Sequence, residues 1–328
     1  MANIITKLSN EEQVDLSALS IDELKRLHFD EECLFCKKVL QLPPFSLERK
    51  ELLNKGYNFA ITVKEEIGIK EGKSLVSHGA SKKSIKILKK LLAEKLSENK
   101  EPVVLYEAGV GYGYAISEVL SFFSDDIQSD KIKIKGCDIF IQSKMQSLIN
   151  INNKLEISEG DVYDCIKVLP YNSVDVFYAD NVVEHFIPDE AETIFSEIAR
   201  VLKPGGYLYL LIPNRYVGPR DVSGYFLPFG SKAQGTHFME MSFNDITETM
   251  EKYNIFNTHC VLFIPKTNLI FSIKNKTLIK IKLFLEPVFA KVPTRFLRRL
   301  VFALCGFSVS INCLACEALE KRKTNESK

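Results

Sequence analysis

The sequence of 328 residues is 46% hydrophobic and 26% charged, the balance of an ordinary folded protein. Lys and Arg number 43 against 42 Asp and Glu, so the strong positive field of a dedicated DNA binder is absent and no DNA partner is expected. The first residues lack the charged-then-apolar pattern of a signal peptide, and no uncharged run reaches the roughly 18–20 residues that span a bilayer. A cytoplasmic protein is expected.

Residues 1 to about 60 read as short helices. "SIDELKRL" opens with a capping-box pattern from Ser20 to Glu23. After Pro43-Pro44, "SLERKELLNKG" offers Ser46 as a cap and Gly56 as a stop. In "SKKSIKILKKLLAEKLSENK", Ile85, Leu88, Leu91, Leu92 and Leu96 share one helical face and lysines the other. Two CxxC pairs occur, Cys33/Cys36 and Cys313/Cys316. The first falls in a helical pattern and the second in a strand pattern, so reduced thiols are expected and no metal site.

From about residue 101, strands and helices alternate. The strand candidates are "PVVLYEA", "KIKIKGCDIF", "KLEISEGD", "SVDVFYAD" and "GYLYLLIPN", with helices at Ala115–Phe123, Gln142–Ile149 and Ala191–Leu202. The last helix stops at "KPGG", a strong breaker. This alternation predicts a mostly parallel, doubly wound sheet with its ligand at the strand C-termini. A long Gly-, Pro- and aromatic-rich loop follows Asn214, then a helix (Asp245–Tyr253), a strand ("IFNTHCVLFIP"), an apolar and basic insertion, and a closing strand ("SVSINCLACEAL").

The first strand runs into Glu107-Ala108-Gly109-Val110-Gly111-Tyr112-Gly113, with glycines at alternate positions. A pyrophosphate cofactor favours GxGxxG, but Tyr114 fills the third glycine's place, which argues against a nicotinamide oxidoreductase. The carboxylate of Glu107, just before the turn, suits a cationic cofactor bearing an amino acid. Asp138 ends the second strand, where a carboxylate can accept both ribose hydroxyls. Asp161 ends the third, where it can accept from an exocyclic adenine amine. Each acid alone also reads as a strand-terminating cap. Together, three acids on three consecutive strands point to one adenosine-bearing ligand.

In this order, "EAGVGYG", "GCDIF", "EGDVYD", "LPYNSVDVFYADNVVEHF" and "ARVLKPGGYLYLLIPN" resemble the class I S-adenosylmethionine-dependent methyltransferases. The resemblance covers roughly residues 101–214. It implies a doubly wound, seven-stranded, mostly parallel Rossmann-like sheet with helices on both faces, here carrying an N-terminal helical extension. That extension is expected over 1–80. The methyltransferase domain is expected over 81–328, with a loop at 213–241 and the insertion at about 264–306. By the resemblance, Glu107, Gly109 and Gly111 hold the methionine end of S-adenosyl-L-methionine. Asp138 and Ile139 hold the ribose and adenine, Asp161 and Val162 the adenine edge and face, and Asp180 and Asn181 the methionine side near the sulfonium.

A sulfonium methyl is already activated, so a base is needed only where the acceptor must lose a proton. His185 and His237 are the candidates, His185 reading equally as an orienting residue and His237 as a surface loop histidine. His78 is a third, on an N-terminal lid. "ADNVVEHF" replaces the NPPY-like segment of amine and amide methyltransferases, so transfer to an oxygen of a small-molecule or glycan-type acceptor is expected. Tyr216, Tyr225, Phe226, Phe229 and Phe238 read as an acceptor pocket or as a local core, with Arg215 and Arg220 for an anionic group. The insertion mixes bulky apolar residues and Lys/Arg with one acid, Glu286. Peripheral membrane contact and a lipid-linked acceptor are one reading, and a packed helical subdomain the other. A protein or RNA acceptor, or a non-catalytic S-adenosylmethionine-binding regulator, are the alternative functions.

Overall fold

Side-chain caps set the starts of the first two helices. In a computed structural model describing residues 4–72, 82–253, 255–263, 270–273, 275–292, 297 and 311–317, the chain divides into two units. One holds 1–78, 184–190 and 218–240, the other 79–183, 191–217 and 241–328. His78 lies outside the described residues.

The first unit begins with an antiparallel ribbon, β1 (Ile5–Lys7) and β2 (Gln13–Asp15). Helix α1 (Ile21–Val39) starts with the complete Ser20/Glu23 capping box, and α2 (Leu47–Lys70) with Ser46 accepting from the Arg49 N–H. At 19 and 24 residues these are long helices rather than the short ones expected. Gly56 does not stop α2. It lies inside the helix, where an added Cβ would sit 3.3 Å from the Phe35 ring of α1, so its missing side chain lets the two helices approach. Leu16, Leu24, Phe35, Phe59, Val63 and Ile67 form this unit's core. Arg49, 1% exposed, pairs through both terminal nitrogens with Asp189 at 2.8 and 3.0 Å. It also reaches Glu190 at 3.0 Å and donates to the Leu42 carbonyl.

The second unit follows the expected alternation: α3 (Lys82–Glu98), β3 (Val103–Ala108), α4 (Tyr114–Phe122), α5 (Ser124–Gln128), β4 (Ile132–Asp138), α6 (Ser143–Ile151), β5 (Leu155–Glu159), α7 (Val162–Lys167), β6 (Val174–Asp180), α8 (Pro188–Val201) and β7 (Leu202–Pro213). These five strands form a parallel sheet flanked by helices. Then come α9 (Phe243–Lys252), β8 (Phe256–Phe263), β9 (Ile270–Ile273), α10 (Lys276–Ala290) and β10 (Ile311–Glu317). The sheet order is β5-β4-β3-β6-β7-β10-β8-β9. The sheet thus has eight strands where seven were expected, the additional one, β9, lying antiparallel to β8 at the edge. The core is drawn from both helices and strands, including Leu88, Leu92, Leu105, Ile116, Val176, Tyr178 and Tyr209. Strand β6 is buried along almost its whole length, the pattern of a parallel strand covered on both faces.

The insertion is tied in by its one acid. Glu286 on α10 is fully buried and accepts from Asn214 Nδ2 at 2.8 Å and from the first N–H groups of α9, Phe243 and Asn244, at 2.9 and 3.0 Å.

Replacing Arg49 with Met leaves the buried Glu190 without its cation. The expected cost is about 3–5 kcal/mol, read as a lower urea midpoint, with part recovered when Glu190→Gln is added.

Candidate active site

Strand β3 ends in Glu107-Ala108 and turns sharply through three glycines before α4. Gly109, Gly111 and Gly113 have φ of +71°, +51° and +73°, a left-handed region that side chains rarely adopt. Two of them are also hemmed in. A Cβ on Gly109 would lie 2.4 Å from Val182 Cγ2, and one on Gly113 2.6 Å from Met145 Sδ. Above Gly111 there is nothing within 4 Å, so the middle of the turn faces open space.

Glu107 lies beneath this turn, 3% exposed. Its Oε2 has no hydrogen-bond partner among the described residues. Burial first, then the like charges of Asp180 and Asp138, hold this carboxyl well above the usual carboxylate range. Such a group asks for a cation to offset it.

Asp138 ends β4, the neighbour of β3. Its Oδ2 accepts from the Gly111 N–H at 2.7 Å, and burial raises its pKa against the pull of backbone donors from Gly111 and Phe140. Ile139 follows it, half-buried. The Gly160 N–H donates to the Asp138 carbonyl, which brings Asp161 and Val162 beside this strand end. Asp161 also caps α7, its Oδ1 accepting from the Asp164 N–H at 2.9 Å. Beyond β6, Asp180 accepts from Tyr178 Oη at 3.1 Å and from Asn181 Nδ2 at 2.7 Å. Asn181 itself is left-handed, with φ +56°. All nine residues expected to hold the cofactor therefore lie at the C-terminal ends of β3, β4, β5 and β6, four adjacent strands of one unit. Sequence reasoning passed over Glu159, which ends β5 opposite Asp138 and accepts from the Ile141 N–H.

The two histidines come together in the other unit, ring centroids 4.9 Å apart and nearly perpendicular. His185 Nδ1 meets the Thr236 carbonyl at 2.9 Å, and Tyr57 stands edge-on to its ring. The dense packing around the His185 ring, with the His237 ring beside it, pushes its pKa down to about 3. It is therefore a neutral imidazole near neutral pH. His237 Nδ1 lies 3.0 Å from Glu240 Oε1. Glu240 was not singled out in the sequence, although its spacing of three from His237 was a usable sign. Of the loop aromatics, Tyr225 and Phe226 pack beside α1 residues, Phe226 with its centroid 5.3 Å from that of Phe29, as part of a local cluster. Arg215 pairs with Asp245 at 3.2 Å. Cys33 and Cys36 are buried free thiols, and burial pushes Cys33 up to about 11.

Residues 106–210 match the family model described as a methyltransferase domain. No curated protein matches the chain. Among solved structures, the CurJ carbon methyltransferase is similar over 97% of this chain and 76% of its own, with 12% identity and a TM-score of 0.50. Phosphoethanolamine N-methyltransferase 2 of Haemonchus contortus is similar over 71% of this chain, with 15% identity and a TM-score of 0.44, and the match spans only 53% of that enzyme's length. The 1,6-didemethyltoxoflavin-N1-methyltransferase of Burkholderia thailandensis covers 80% of this chain and 90% of its own, with 11% identity and a TM-score of 0.44. The match of residues 106–210 begins on β3 and ends on β7, taking in the glycine turn and the acids at its edge, so this part of the chain is a methyltransferase domain.

Proposed function

We propose that the enzyme transfers a methyl group from S-adenosylmethionine to an oxygen of a small-molecule or glycan-type acceptor, with a lipid-linked glycan as the preferred class. The observation that carries the cofactor half is the buried, partnerless Oε2 of Glu107 under the open Gly111. S-adenosylmethionine supplies a methyl already activated by a positive sulfur. Glu107 offers its carboxylate to the ligand's amino group, while Gly109 and Gly111 let that group approach the backbone. Asp138 offers its carboxylate to the ribose hydroxyls, with Ile139 against the adenine. Asp161 and Val162 take the adenine's edge and face, and Asp180 and Asn181 the methionine side.

An acceptor hydroxyl must lose its proton on attack. His237 suits that role better than His185, because Glu240 orients its ring through Nδ1 and leaves Nε2 to act. His185, with a pKa of about 3, is a weak base and orients.

A membrane-borne acceptor is supported by α10. Leu278, Ile281, Phe284 and Val288 are exposed along one stripe, Phe284 by 73%. Lys276, Lys280 and Lys291 are exposed with them, while the helix's one acid, Glu286, is turned inward. Among the described residues no helix is long and apolar enough to cross a membrane, so contact would be at the surface.

The direct test incubates the enzyme and S-adenosylmethionine with fractionated cell extract, including its lipid fraction, and seeks a product heavier by one methyl. A product methylated only on nitrogen or carbon overturns the oxygen assignment. The buried carboxyl gives a signed pH effect. The raised pKa means that Glu107 is more readily protonated in the unliganded fold than in the unfolded chain. Its contribution to stability is therefore full at low pH and is lost as pH rises through the raised value. Pairing with the ligand's ammonium expels that proton, so S-adenosylmethionine should bind more tightly as pH rises, by up to about tenfold per unit. Glu107→Gln should flatten this dependence in calorimetry, and Asp138→Ala should weaken binding by about 10–150-fold. At the membrane, the protein should sediment with phosphatidylserine vesicles but not with phosphatidylcholine ones. Phe284→Ser together with Lys280→Glu should release it, each surface lysine contributing about 1 kcal/mol.

A further inference from the structure

The first unit brings together two segments, 184–190 and 218–240, that are separated in the sequence by residues 191–217. The Met239 N–H donates to the Glu184 carbonyl at 2.9 Å, holding them side by side. Glu184, His185 and His237 each present a metal-ligating atom there, and these atoms lie within 4.8 Å of one another. Glu184 is fully buried, and both histidines are half-buried.

We propose that Glu184, His185 and His237 bind a divalent first-row transition-metal ion, with zinc favoured by the donor set. Two imidazoles and one carboxylate are a known catalytic zinc set, which leaves a coordination position for water or substrate. The outer contacts fit this role. A metal-bound histidine has its other ring nitrogen fixed by a carboxylate or a backbone carbonyl. His185 Nδ1 meets the Thr236 carbonyl, and His237 Nδ1 meets Glu240. In that tautomer each ring keeps the Nε2 lone pair for the ion. These orienting groups are themselves held. Thr236 donates its N–H and hydroxyl to Glu32 at 2.8 and 3.0 Å, and Glu240 accepts from the Arg220 N–H at 2.6 Å. Donors bound at about 2.0–2.2 Å stand roughly 3–4.3 Å apart, so small side-chain rotations close the observed spacing.

Every ligand and orienting group belongs to one unit, so binding does not rest on the methyl-transfer reading.

The full-length protein is stripped with chelator, dialysed against Zn²⁺ or Co²⁺, and analysed by mass spectrometry for metal content. About one ion per chain is expected, with visible d–d absorption in the cobalt form. His237→Ala and Glu184→Gln should each weaken zinc binding by about 100-fold or more, and Glu240→Gln, which keeps all three ligands, by about 10–100-fold. The double variant Cys33→Ser/Cys36→Ser should bind as the wild type does. No zinc retained by the wild type overturns the proposal, as does zinc that survives His237→Ala or is lost with the two cysteines. Should His237→Ala or Glu184→Gln fail to fold, Glu240→Gln and the cobalt spectrum decide. Calorimetry with S-adenosylmethionine on the stripped protein separates a failure here from a failure of the methyltransferase reading.

Discussion

The second unit depends on one unfavourable placement, a carboxyl group taken out of water at the end of its central strand. Glu107 sits beneath the turn with Asp138 and Asp180 adding negative potential, and nothing among the described residues pairs its Oε2. Such an arrangement raises the energy of the ionised form until a cation arrives. The turn above it is over-determined in the complementary sense. Gly109 and Gly113 are required both by left-handed backbone and by Val182 and Met145 pressing in, whereas Gly111 is required by backbone alone and has open space beside it. The packing fixes the two outer glycines and leaves the middle one facing open space. An uncompensated acid and an uncovered turn thus stand together at the end of one strand.

The cofactor half of the protein was legible in its sequence because its determinants are local. A parallel strand buried on both faces, such as β6, reads as an apolar run, and each acid stands at or next to the C-terminal end of its strand. Those acids have mixed duties, which no pattern shows. Asp161 does cap α7, the bland reading of a strand-ending aspartate, and still lies next to Asp138 through Gly160. Gly56 was misread because a glycine that stops a helix and one that admits a neighbouring helix look alike in sequence. Only the Phe35 ring, supplied by another helix, distinguishes them. Strand β9 was missed inside the insertion because four residues of strand carry too little pattern to stand out from the apolar and basic background.

The first unit was the least legible part, for a physical reason. Its polar ties close over great distances in sequence: Glu32 to Thr236 spans 204 residues, and Arg49 to Asp189 spans 140. No periodicity records such pairings. The buried Arg49–Glu190 pair beside them is also of a kind that adds little net stability, since burying a charged pair costs about as much desolvation as it returns in attraction. What they supply is uniqueness. A carboxylate such as Glu32, buried against a backbone N–H and a hydroxyl, accepts one position of residue 236 and penalises others, because a misplaced loop would leave it unsatisfied. The loop that read as an acceptor pocket or a local core is therefore held to the N-terminal helices by specific buried contacts, and His237, which it carries, inherits that order.

The same logic accounts for the insertion. Its composition, apolar and basic with one acid, suggested either a packed subdomain or a surface for anionic lipid. Glu286 supports the packed subdomain. A helix N-terminus leaves its first N–H groups unpaired and carries partial positive charge, so a carboxylate placed there satisfies both demands. Glu286 does this for α9 with Phe243 and Asn244, and takes the Asn214 amide as well. The contact that packs α10 onto the domain is thus also the one that removes its negative charge from solvent. What remains outside, Leu278, Ile281, Phe284 and Val288 among Lys276, Lys280 and Lys291, is an apolar and basic face without an acid.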